Sequence, residues 1–361
     1  MEVAQSTSLF NQVSTMGHEQ VVFCYDEPTG LKAIIGIHNT VLGPALGGTR
    51  MWNYTSESEA LTDALRLSRG MTYKAAITGL NIGGGKAVII GDASKMKTEA
   101  FMRRFGRFVE SLGGRYITAE DVNMKTKDME YISMETKHVT GLPESMGGGG
   151  DPSPVTAYGT YLGMKASAKK VYGNDSLSGK KVAVQGVGQV GMHLVERLSK
   201  EGAEVYITDI SEEKLSKVAS QHGAKVVGQE EIYDLDVDIY APCALGATLN
   251  DDTIGRLKCQ IVAGAANNQL EDENRHGSML MDKGIVYAPD FLINAGGLIN
   301  VYAEHLGGYN KESAYQHADK IYDTCLNILN VAENDKIPAQ EAAIQLAQER
   351  IDAMGKVKLS F

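Results

Sequence analysis

The stretch from Lys181 to Gly191, KVAVQGVGQVG, decides the fold class of the second half of this chain. A short apolar run predicts a strand that leads into Gly186, Gly188 and Gly191, and a helical pattern then continues to about Leu198. The three glycines have the spacing GxGxxG, which by itself is a weak signal. Its meaning therefore depends on the residues that follow.

The residues after this stretch complete a βαβ pattern. A second predicted strand ends in Asp209, about 20 residues beyond the glycines, as the dinucleotide-binding fingerprint requires. In that fingerprint the glycine loop, which here includes Val190, brings backbone N–H groups to a pyrophosphate at a helix amino terminus. The acidic residue accepts hydrogen bonds from the ribose hydroxyls. A carboxylate there repels a 2′-phosphate, so the pattern favours NAD over NADP.

Four more strands are predicted downstream, at Ala224 to Val227, Val237 to Tyr240, Gln260 to Ala263 and Ile285 to Tyr287. Together with the first two they make six, the number that suits a Rossmann dinucleotide-binding fold. Small polar loops follow two of them, and these loops contain Cys243, Ala244 and Asn268. Ligands bind at the carboxyl ends of parallel strands, so we expect these residues to line the cofactor. The alternative is a doubly wound domain that binds no nucleotide.

The first part of the chain also alternates strands and helices, which predicts a separate α/β domain. Two β-rich runs are joined by a turn at 26–30, and residues 42–52, LGPALGGTRMW, are predicted to form a glycine-rich loop. Ser56 and Glu59 have the spacing of a capping box ahead of a helix. Further strands are predicted at 87–90 and 116–119, with an amphipathic helix between them.

The run GGGGDPSP at 147–154 divides the two α/β parts, because glycine and proline are unfavourable inside regular elements. We therefore predict a hinge there. The expected domains are 1–146 for substrate binding and oligomerisation, 147–330 for NAD binding, and 331–361 as a carboxyl-terminal helix that packs back toward the first domain.

Composition narrows the class of protein. The 361 residues are 43% hydrophobic and 22% charged, which fits a soluble globular enzyme. A net charge of -10 argues against a nucleic-acid-binding surface. Neither the amino terminus nor any other stretch has the apolar length of a signal peptide or membrane span, so we expect a cytoplasmic protein with no membrane partner. The spacing of the cysteines and histidines suggests no metal site.

A second informative stretch is MTYKAAITGLNIGGGKAVII, residues 71–90, which has Lys74 and Lys86 on either side of a predicted glycine-rich turn. A phosphate-binding P-loop needs a glycine at the position of Leu80 and a Ser or Thr at that of Ala87, so this pattern is excluded. Two interpretations remain. The stretch is either a flexible surface turn or a place where a lysine amine and the backbone approach a small ligand.

The motifs PALGGTRMW, MTYKAAI, GGGKA, TAED, PSPVTAYG, GVGQVG, GAANNQ and NAGGLINV occur in this order across nearly the whole chain. In this combination the chain resembles the glutamate/leucine/phenylalanine/valine dehydrogenase family, and its leucine-using branch most closely. The resemblance implies an amino-terminal substrate domain, a Rossmann domain, an active site in the cleft between them, and a homo-oligomer, often an octamer.

The resemblance also implies roles for individual residues. Lys74 looks like the residue that holds the substrate α-carboxylate, Lys86 like the catalytic base, and Asp121 like its proton-relay partner. Thr156 and Asn268 resemble residues that hold the nicotinamide half of NAD. A lysine is a base only when its pKa falls from about 10.4 toward 7 or 8. Exclusion of water and repulsion from a second ammonium would both lower it. For Asp121 alone, a helix-capping role would explain the residue equally well.

The substrate pocket is predicted to be apolar. Glutamate-using relatives have a lysine and a serine where this chain has Leu46 and Val301, and an apolar pocket binds a side-chain carboxylate poorly. Leu46, Ala119 and Val301 suggest a branched aliphatic side chain, while Leu298 looks large and favours shorter ones. The predicted substrate-binding set is completed by Gly47 and Met71.

We therefore expect NAD-dependent, reversible oxidative deamination of leucine, isoleucine and valine to 2-oxo acids and ammonia. Phenylalanine or short-chain valine preference is an alternative within the family. A protein that senses NAD without catalysis is an alternative from another class. The joint presence of Lys74, Lys86 and Asp121 counts against the sensor.

Overall fold

The structure is a computed structural model that describes residues 8–244 and 246–358. The described chain divides into two compact units. The first unit consists of residues 8–150, 301–309 and 348–358, and the second of residues 151–300 and 310–347, without residue 245. The predicted domain boundaries at 146/147 and 330/331 stay predictions.

The first unit is built on a five-stranded mixed sheet. It begins with helix α1 (Leu9–Met16), and its strands are β1 (Gln20–Asp26), β2 (Leu31–Asn39), β3 (Ala45–Trp52), β4 (Gly83–Ile90) and β5 (Tyr116–Glu120). The spatial order is β1-β2-β4-β3-β5. The first two strands form the predicted hairpin, and β2 pairs antiparallel with β4. Strand β3 pairs in parallel with both β4 and β5.

Helices cover both faces of this sheet. The helices that follow α1 within residues 8–150 are α2 (Glu57–Ile77), α3 (Ala93–Met96), α4 (Glu99–Glu110) and α5 (Thr126–Ser133), and an exposed 3-10 turn (Glu144–Met146) follows them. On one face, Ala60, Leu61, Ala64 and Leu65 of α2 pack on Ile34 and Val88. On the other face, Phe101 and Phe105 of α4 and Ile132 of α5 belong to one apolar core with alternate strand residues. These strand residues include Ile35 of β2 and Ala87 of β4. The predicted cap of α2 is confirmed, because Ser56 Oγ accepts the N–H of Glu59.

Two predictions in this unit are wrong. Most of the expected loop at 42–52 is strand β3, and the expected turn at 83–85 is the first part of the central strand β4. Glycine serves close packing here and not a change of direction. A Cβ at Gly47 would lie 1.7 Å from the carbonyl oxygen of Gly85, and one at Gly84 would lie 2.1 Å from the backbone nitrogen of Thr72 in α2.

The second unit contains a six-stranded sheet, and all of its paired strands are parallel. Helix α6 (Ser153–Tyr172) precedes the strands β6 (Lys181–Gln185), β7 (Glu204–Thr208), β8 (Lys225–Val226), β9 (Ile239–Pro242), β10 (Ile261–Val262) and β11 (Val286–Tyr287). Their order is β11-β10-β9-β6-β7-β8. This is the doubly wound order of dinucleotide-binding folds, with the reversal of strand order between β6 and β9. The predicted Rossmann fold is confirmed.

Helices alternate with these strands and then close the chain. They are α7 (Gln189–Glu201), α8 (Glu212–His222), a 3-10 turn (Glu231–Asp234), α9 (Asp251–Arg256), α10 (Glu273–Asp282), α11 (Asp290–Ile293), α12 (Gly296–His305), α13 (Lys311–Asp335) and α14 (Ala339–Lys358). Within the described ranges no helix is long and apolar enough to cross a membrane.

The last turns of α12 and α14 belong to the first unit. Glu304 of α12 accepts hydrogen bonds from the backbone N–H groups of Gly141, Leu142 and Gly149, each at 3.1 Å. Arg350 of α14 donates to carbonyl oxygens in the last turn of α2 and just after it, including that of Leu80 at 2.8 Å. The predicted return of the carboxyl-terminal helices to the first part of the chain is confirmed.

Candidate active site

Lys86 lies in the middle of the central strand β4 and is only 5% exposed. It is paired with Gly36 of β2, and its side chain is on the same face as position 84 of its own strand. A Cβ at Gly84 would collide with α2, so this is the face that α2 covers. The absence of side chains at positions 36 and 84 lets the helix approach the sheet beside the lysine.

Asp121, which the family resemblance implies as the proton-relay partner, forms an ion pair with Lys86. It follows β5 directly, and its Oδ2 atom lies 2.6 Å from Lys86 Nζ. Burial lowers the pKa of the Lys86 amine, and the adjacent carboxylate opposes that change. Burial alone would raise the pKa of Asp121, but the positive charges of Lys86 and Arg50 outweigh it and leave the pKa lowered. Asp121 is therefore ionised and able to hold a proton donor.

Sequence reasoning missed three residues that extend this pair into a network. Arg50 donates from Nε to Oδ2 of Asp121 at 3.0 Å and from Nη1 to Asp63 at 3.1 Å. Tyr54 donates its hydroxyl proton to the same Asp63 oxygen at 2.5 Å. Arg50 stands inside the motif PALGGTRMW, and a charged residue among small and apolar ones is a signal that could have drawn attention to it, although not to its partners.

Lys74 lies in the last turn of α2 and is half-buried. It comes two residues after Thr72, whose backbone is the part of α2 that approaches Gly84. Met71, six residues before the end of the same helix, is also half-buried. The structure thus places the predicted carboxylate-binding lysine on the helix that covers the Lys86 face of the sheet.

Leu46 and Ala119 share that face with Lys86. Leu46 is paired with Gly84 of β4 and Ile117 of β5, and Ala119 stands two residues further along β5. Both side chains are buried. The backbone of Gly47 is held from the opposite side, where Tyr116 donates its hydroxyl to the Gly47 carbonyl oxygen at 2.6 Å.

Leu298 and Val301 both lie on α12, which begins at Gly296. Leu298 is buried in the second unit, and Val301 is half-buried in the first unit. They are three residues apart and therefore occupy neighbouring positions on the helix surface.

The glycine loop of the second unit has the geometry that a dinucleotide needs. Gly186 has a φ of +100°, and a Cβ at Gly191 would lie 2.0 Å from the Gly186 carbonyl oxygen. Gly188 caps the amino terminus of α7 and has nothing within 4 Å of its Cβ position, and Val190 is in the first turn. Open space next to free N–H groups at a helix start fits a pyrophosphate.

Asp209 follows β7 and binds this loop. Its Oδ2 atom accepts the backbone N–H of Val187 at 2.8 Å, and Oδ1 accepts that of Ser211. The carboxylate is therefore fixed at the end of the second strand, beside the glycine turn, where the fingerprint places the ribose-binding acid.

The other predicted cofactor residues lie in the same unit. Ala244 is in contact with the glycine loop, since a Cβ placed on Gly186 would lie 2.7 Å from the Cβ of Ala244. Cys243 lies beside Gly191, and burial raises the pKa of its thiol to about 12. Thr156 is in the first turn of α6, and Asn268 has a left-handed φ of +52°.

The described side chains include no group of three or more His, Cys, Asp or Glu residues that could hold a metal ion. The second unit also has a cavity of about 390 Å³, which is lined by residues such as Leu280, Tyr287 and Leu329 and by none of the predicted site residues.

The fold and these residues define a two-unit α/β enzyme with a dinucleotide-binding sheet. The model of the Glu/Leu/Phe/Val dehydrogenase dimerisation domain matches residues 18–138, and that of the Glutamate/Leucine/Phenylalanine/Valine dehydrogenase domain matches residues 147–212 and 205–357. The chain belongs to this family of amino acid dehydrogenases, and the resemblance inferred from its motifs is confirmed.

Individual relatives align over nearly the whole chain. Leucine dehydrogenase of Thermoactinomyces intermedius is 56% identical over 353 residues, which make up 98% of this chain and 96% of the relative. Leucine dehydrogenase of Geobacillus stearothermophilus is 55% identical over the same shares. The crystal structure of L-tryptophan dehydrogenase from Nostoc punctiforme superposes with a TM-score of 0.87 at 48% identity, covering 96% of this chain and 100% of that one.

Proposed function

We propose that this chain catalyses the NAD-dependent, reversible oxidative deamination of the branched-chain amino acids leucine, isoleucine and valine. The observation that carries the proposal is the buried Lys86 amine bonded to Asp121, on the same sheet face as the apolar side chains of Leu46 and Ala119. The high identity to two proteins named leucine dehydrogenase supports the same substrate class.

The proposed products are a 2-oxo acid and ammonia. Bound NAD would supply the acceptor for the hydride of the amino acid Cα, and the resulting C=N bond would then have to be attacked by water. Lys86 in its neutral form would take a proton from that water as the water oxygen bonds to the carbon. The ionised Asp121 would then accept the proton of the new hydroxyl and pass it to the substrate nitrogen, so that the carbonyl forms and ammonia leaves. Burial favours the neutral form of Lys86 that this step requires.

Lys74 is proposed to bind the substrate α-carboxylate. Its position on α2, beside the buried face of the sheet, suits a cation that neutralises one carboxylate and excludes water from the base. Leu46, Met71, Ala119, Leu298 and Val301 are proposed to contact the aliphatic side chain, and Gly47 to allow its close approach to the backbone. A pocket of this composition discriminates by only about 1 to 3 kcal/mol per methylene, so all three aliphatic substrates should react.

NAD is proposed as the cofactor. Gly186, Gly188, Val190 and Gly191 would hold the pyrophosphate, and Asp209 the adenosine ribose. Thr156 and Asn268 would hold the nicotinamide half, and Cys243 and Ala244 would line the cofactor beside the glycine loop. The fixed carboxylate of Asp209 beside the glycine turn supports NAD over NADP, because a second negative charge there would be repelled.

A homo-oligomer, and specifically an octamer, is proposed from the family resemblance. The family model that covers residues 18–138 is described as a dimerisation domain, which supports contacts through the first unit. Light scattering coupled to size-exclusion chromatography measures the number of subunits. A cytoplasmic location stays a prediction.

The test is NADH formation, followed by ultraviolet absorbance, with leucine, isoleucine, valine, phenylalanine and tryptophan as substrates. Lys86→Ala should abolish turnover and leave NADH binding intact. Lys95→Ala is a matched control, since that lysine has a side chain 79% exposed and pairs with Asp92 three residues before it. Turnover that survives in Lys86→Ala would exclude Lys86 as the base. NADH binding without turnover of any apolar amino acid would favour the sensor.

A further inference from the structure

Arg50 connects two carboxylates that come from different elements of the first unit. Its Nε atom donates to Asp121 after β5, and its Nη1 atom donates to Asp63 of α2. Asp121 receives Arg50 and Lys86 on the same oxygen, Oδ2, at 3.0 Å and 2.6 Å. One carboxylate oxygen therefore joins the proposed base to an arginine that has no contact with substrate in the proposed mechanism.

The network is balanced in charge when Lys86 carries its proton. Two cations, Lys86 and Arg50, then face two carboxylates, Asp121 and Asp63. Loss of the Lys86 proton leaves one excess negative charge, and the arginine keeps Asp121 ionised in that state. Tyr54 donates to Asp63 and holds this second carboxylate against Arg50.

Among the described residues, the largest effects of charged groups on Lys86 come from three elements. The groups are Asp121 at the end of β5, Arg50 on β3 and Asp63 on α2. The positive charge of Arg50 favours loss of the lysine proton, while the negative charge of Asp63 favours its retention. Both side chains are about 25% exposed, so water only partly screens these effects.

We infer that Arg50 and Asp63 are positioning residues that set, through Asp121, the pH at which Lys86 becomes a base. This inference rests on the proposed function, in which Lys86 deprotonates water. Arg50 has two tasks: it orients the Asp121 carboxylate, and it opposes the proton on Lys86. Asp63 limits the second effect by neutralising part of the arginine charge.

The inference makes opposite predictions for two charge-removing variants. Arg50→Gln removes a cation, so the acid limb of the profile of kcat/KM against pH should move to higher pH. Asp63→Asn removes an anion, so the limb should move to lower pH. The size expected for one charge at this distance, partly screened, is about one pH unit in each case. In the double variant Arg50→Gln/Asp63→Asn the limb should return toward that of the wild type.

Arg50→Lys separates charge from orientation. A lysine keeps the positive charge but lacks the planar fork that binds two carboxylates. The acid limb should therefore stay within a few tenths of a unit of the wild type, while kcat falls about tenfold or more. If the shift in Arg50→Gln came from a damaged fold, the acid limb would not return to its wild-type position in Arg50→Lys or in the double variant.

The experiment measures leucine oxidation by the full chain over the pH range in which the wild type is active. The ammonium of leucine titrates identically in every assay, so a difference between variants reports the enzyme. Shifts in the same direction for Arg50→Gln and Asp63→Asn, or no shift in either, would overturn the inference. If Arg50→Gln does not fold, Asp63→Asn decides alone: a limb at lower pH supports the inference and an unmoved limb refutes it. An inactive wild type would instead refute the proposed function.

Discussion

The rings of His18 and His38 lie edge to face inside the first unit, with their centroids 4.8 Å apart. Each ring contacts a hydroxyl of α2: the His18 Nε2 atom is 2.7 Å from Ser68 Oγ, and the His38 Nδ1 atom is 2.8 Å from Thr72 Oγ1. Burial lowers the pKa of both imidazoles to about 4, and in His18 the neighbouring ring adds to the effect. The two neutral rings therefore connect α2 to the segment after α1 and to strand β2.

The first prediction is a loss of stability in mild acid. As the pH falls from about 6.5 toward 4, the unfolded chain takes up protons on both rings and the folded chain does not, so folding becomes less favourable. For each ring, the free energy of unfolding falls by up to about 1.4 kcal/mol per pH unit in this range. Tm measured between about pH 7 and pH 5 should decline, and the decline should be shallower in His18→Gln/His38→Gln. Equal slopes for the two proteins would contradict the prediction.

The second prediction concerns glycines that serve packing. Gly47→Ala should destabilise the first unit by about 3 kcal/mol or more, because its Cβ would collide with the backbone of the neighbouring strand β4. Gly70→Ala is the matched control, because it is exposed in α2 and has nothing within 4 Å of its Cβ position. That variant should be stabilised by about 0.5 to 1 kcal/mol. Urea unfolding measures the free energy of unfolding of both variants. Equal values for Gly47→Ala and Gly70→Ala would show that β3 is not packed against β4 in this way.

The third prediction concerns the substrate side chain. Leu46→Gly removes a buried side chain from the Lys86 face, so kcat/KM for phenylalanine should rise relative to leucine by about tenfold or more. Leu31→Gly is the control, because Leu31 is equally buried but belongs to the core on the opposite face of the sheet. It should lose stability without any change in the substrate ratio. An unchanged ratio in Leu46→Gly would remove Leu46 from the pocket.

The fourth prediction concerns the nucleotide. Asp209→Asn keeps an oxygen that can accept the Val187 N–H but loses the negative charge. The ratio of kcat/KM with NADP to that with NAD should rise about tenfold, which corresponds to about 1.4 kcal/mol. Glu212→Gln removes an exposed charge from the first turn of α8 and should leave the ratio unchanged. A constant ratio in Asp209→Asn would separate nucleotide choice from this carboxylate.

The sequence was sufficient where the signal is local. The strands and helix around Gly186 and Asp209 were predicted correctly, because apolar runs, glycine spacing and an acidic strand end all lie within one βαβ unit. The Lys86 and Asp121 pairing was predicted through the motif resemblance and agrees with the 2.6 Å contact.

The errors have a common physical cause. Glycine in a sequence suggests a turn, but at Gly47 and Gly84 its lack of a side chain serves contacts with atoms far along the chain. The bridge from Arg50 to Asp63 and Asp121 likewise depends on three elements meeting, which no local pattern contains. Neither could be predicted without the register of the sheet.

The discontinuity of the first unit has a consequence for chimaeric enzymes. Glu304 holds backbone amides near 141–149, and Arg350 holds carbonyl oxygens after α2, although both come from the far end of the chain. An exchange of residues 1–150 between two relatives would therefore join amides and carbonyls from one parent to a carboxylate and a guanidinium from the other. A grafting design must transfer three segments, with 301–309 and 348–358 moved together with the first.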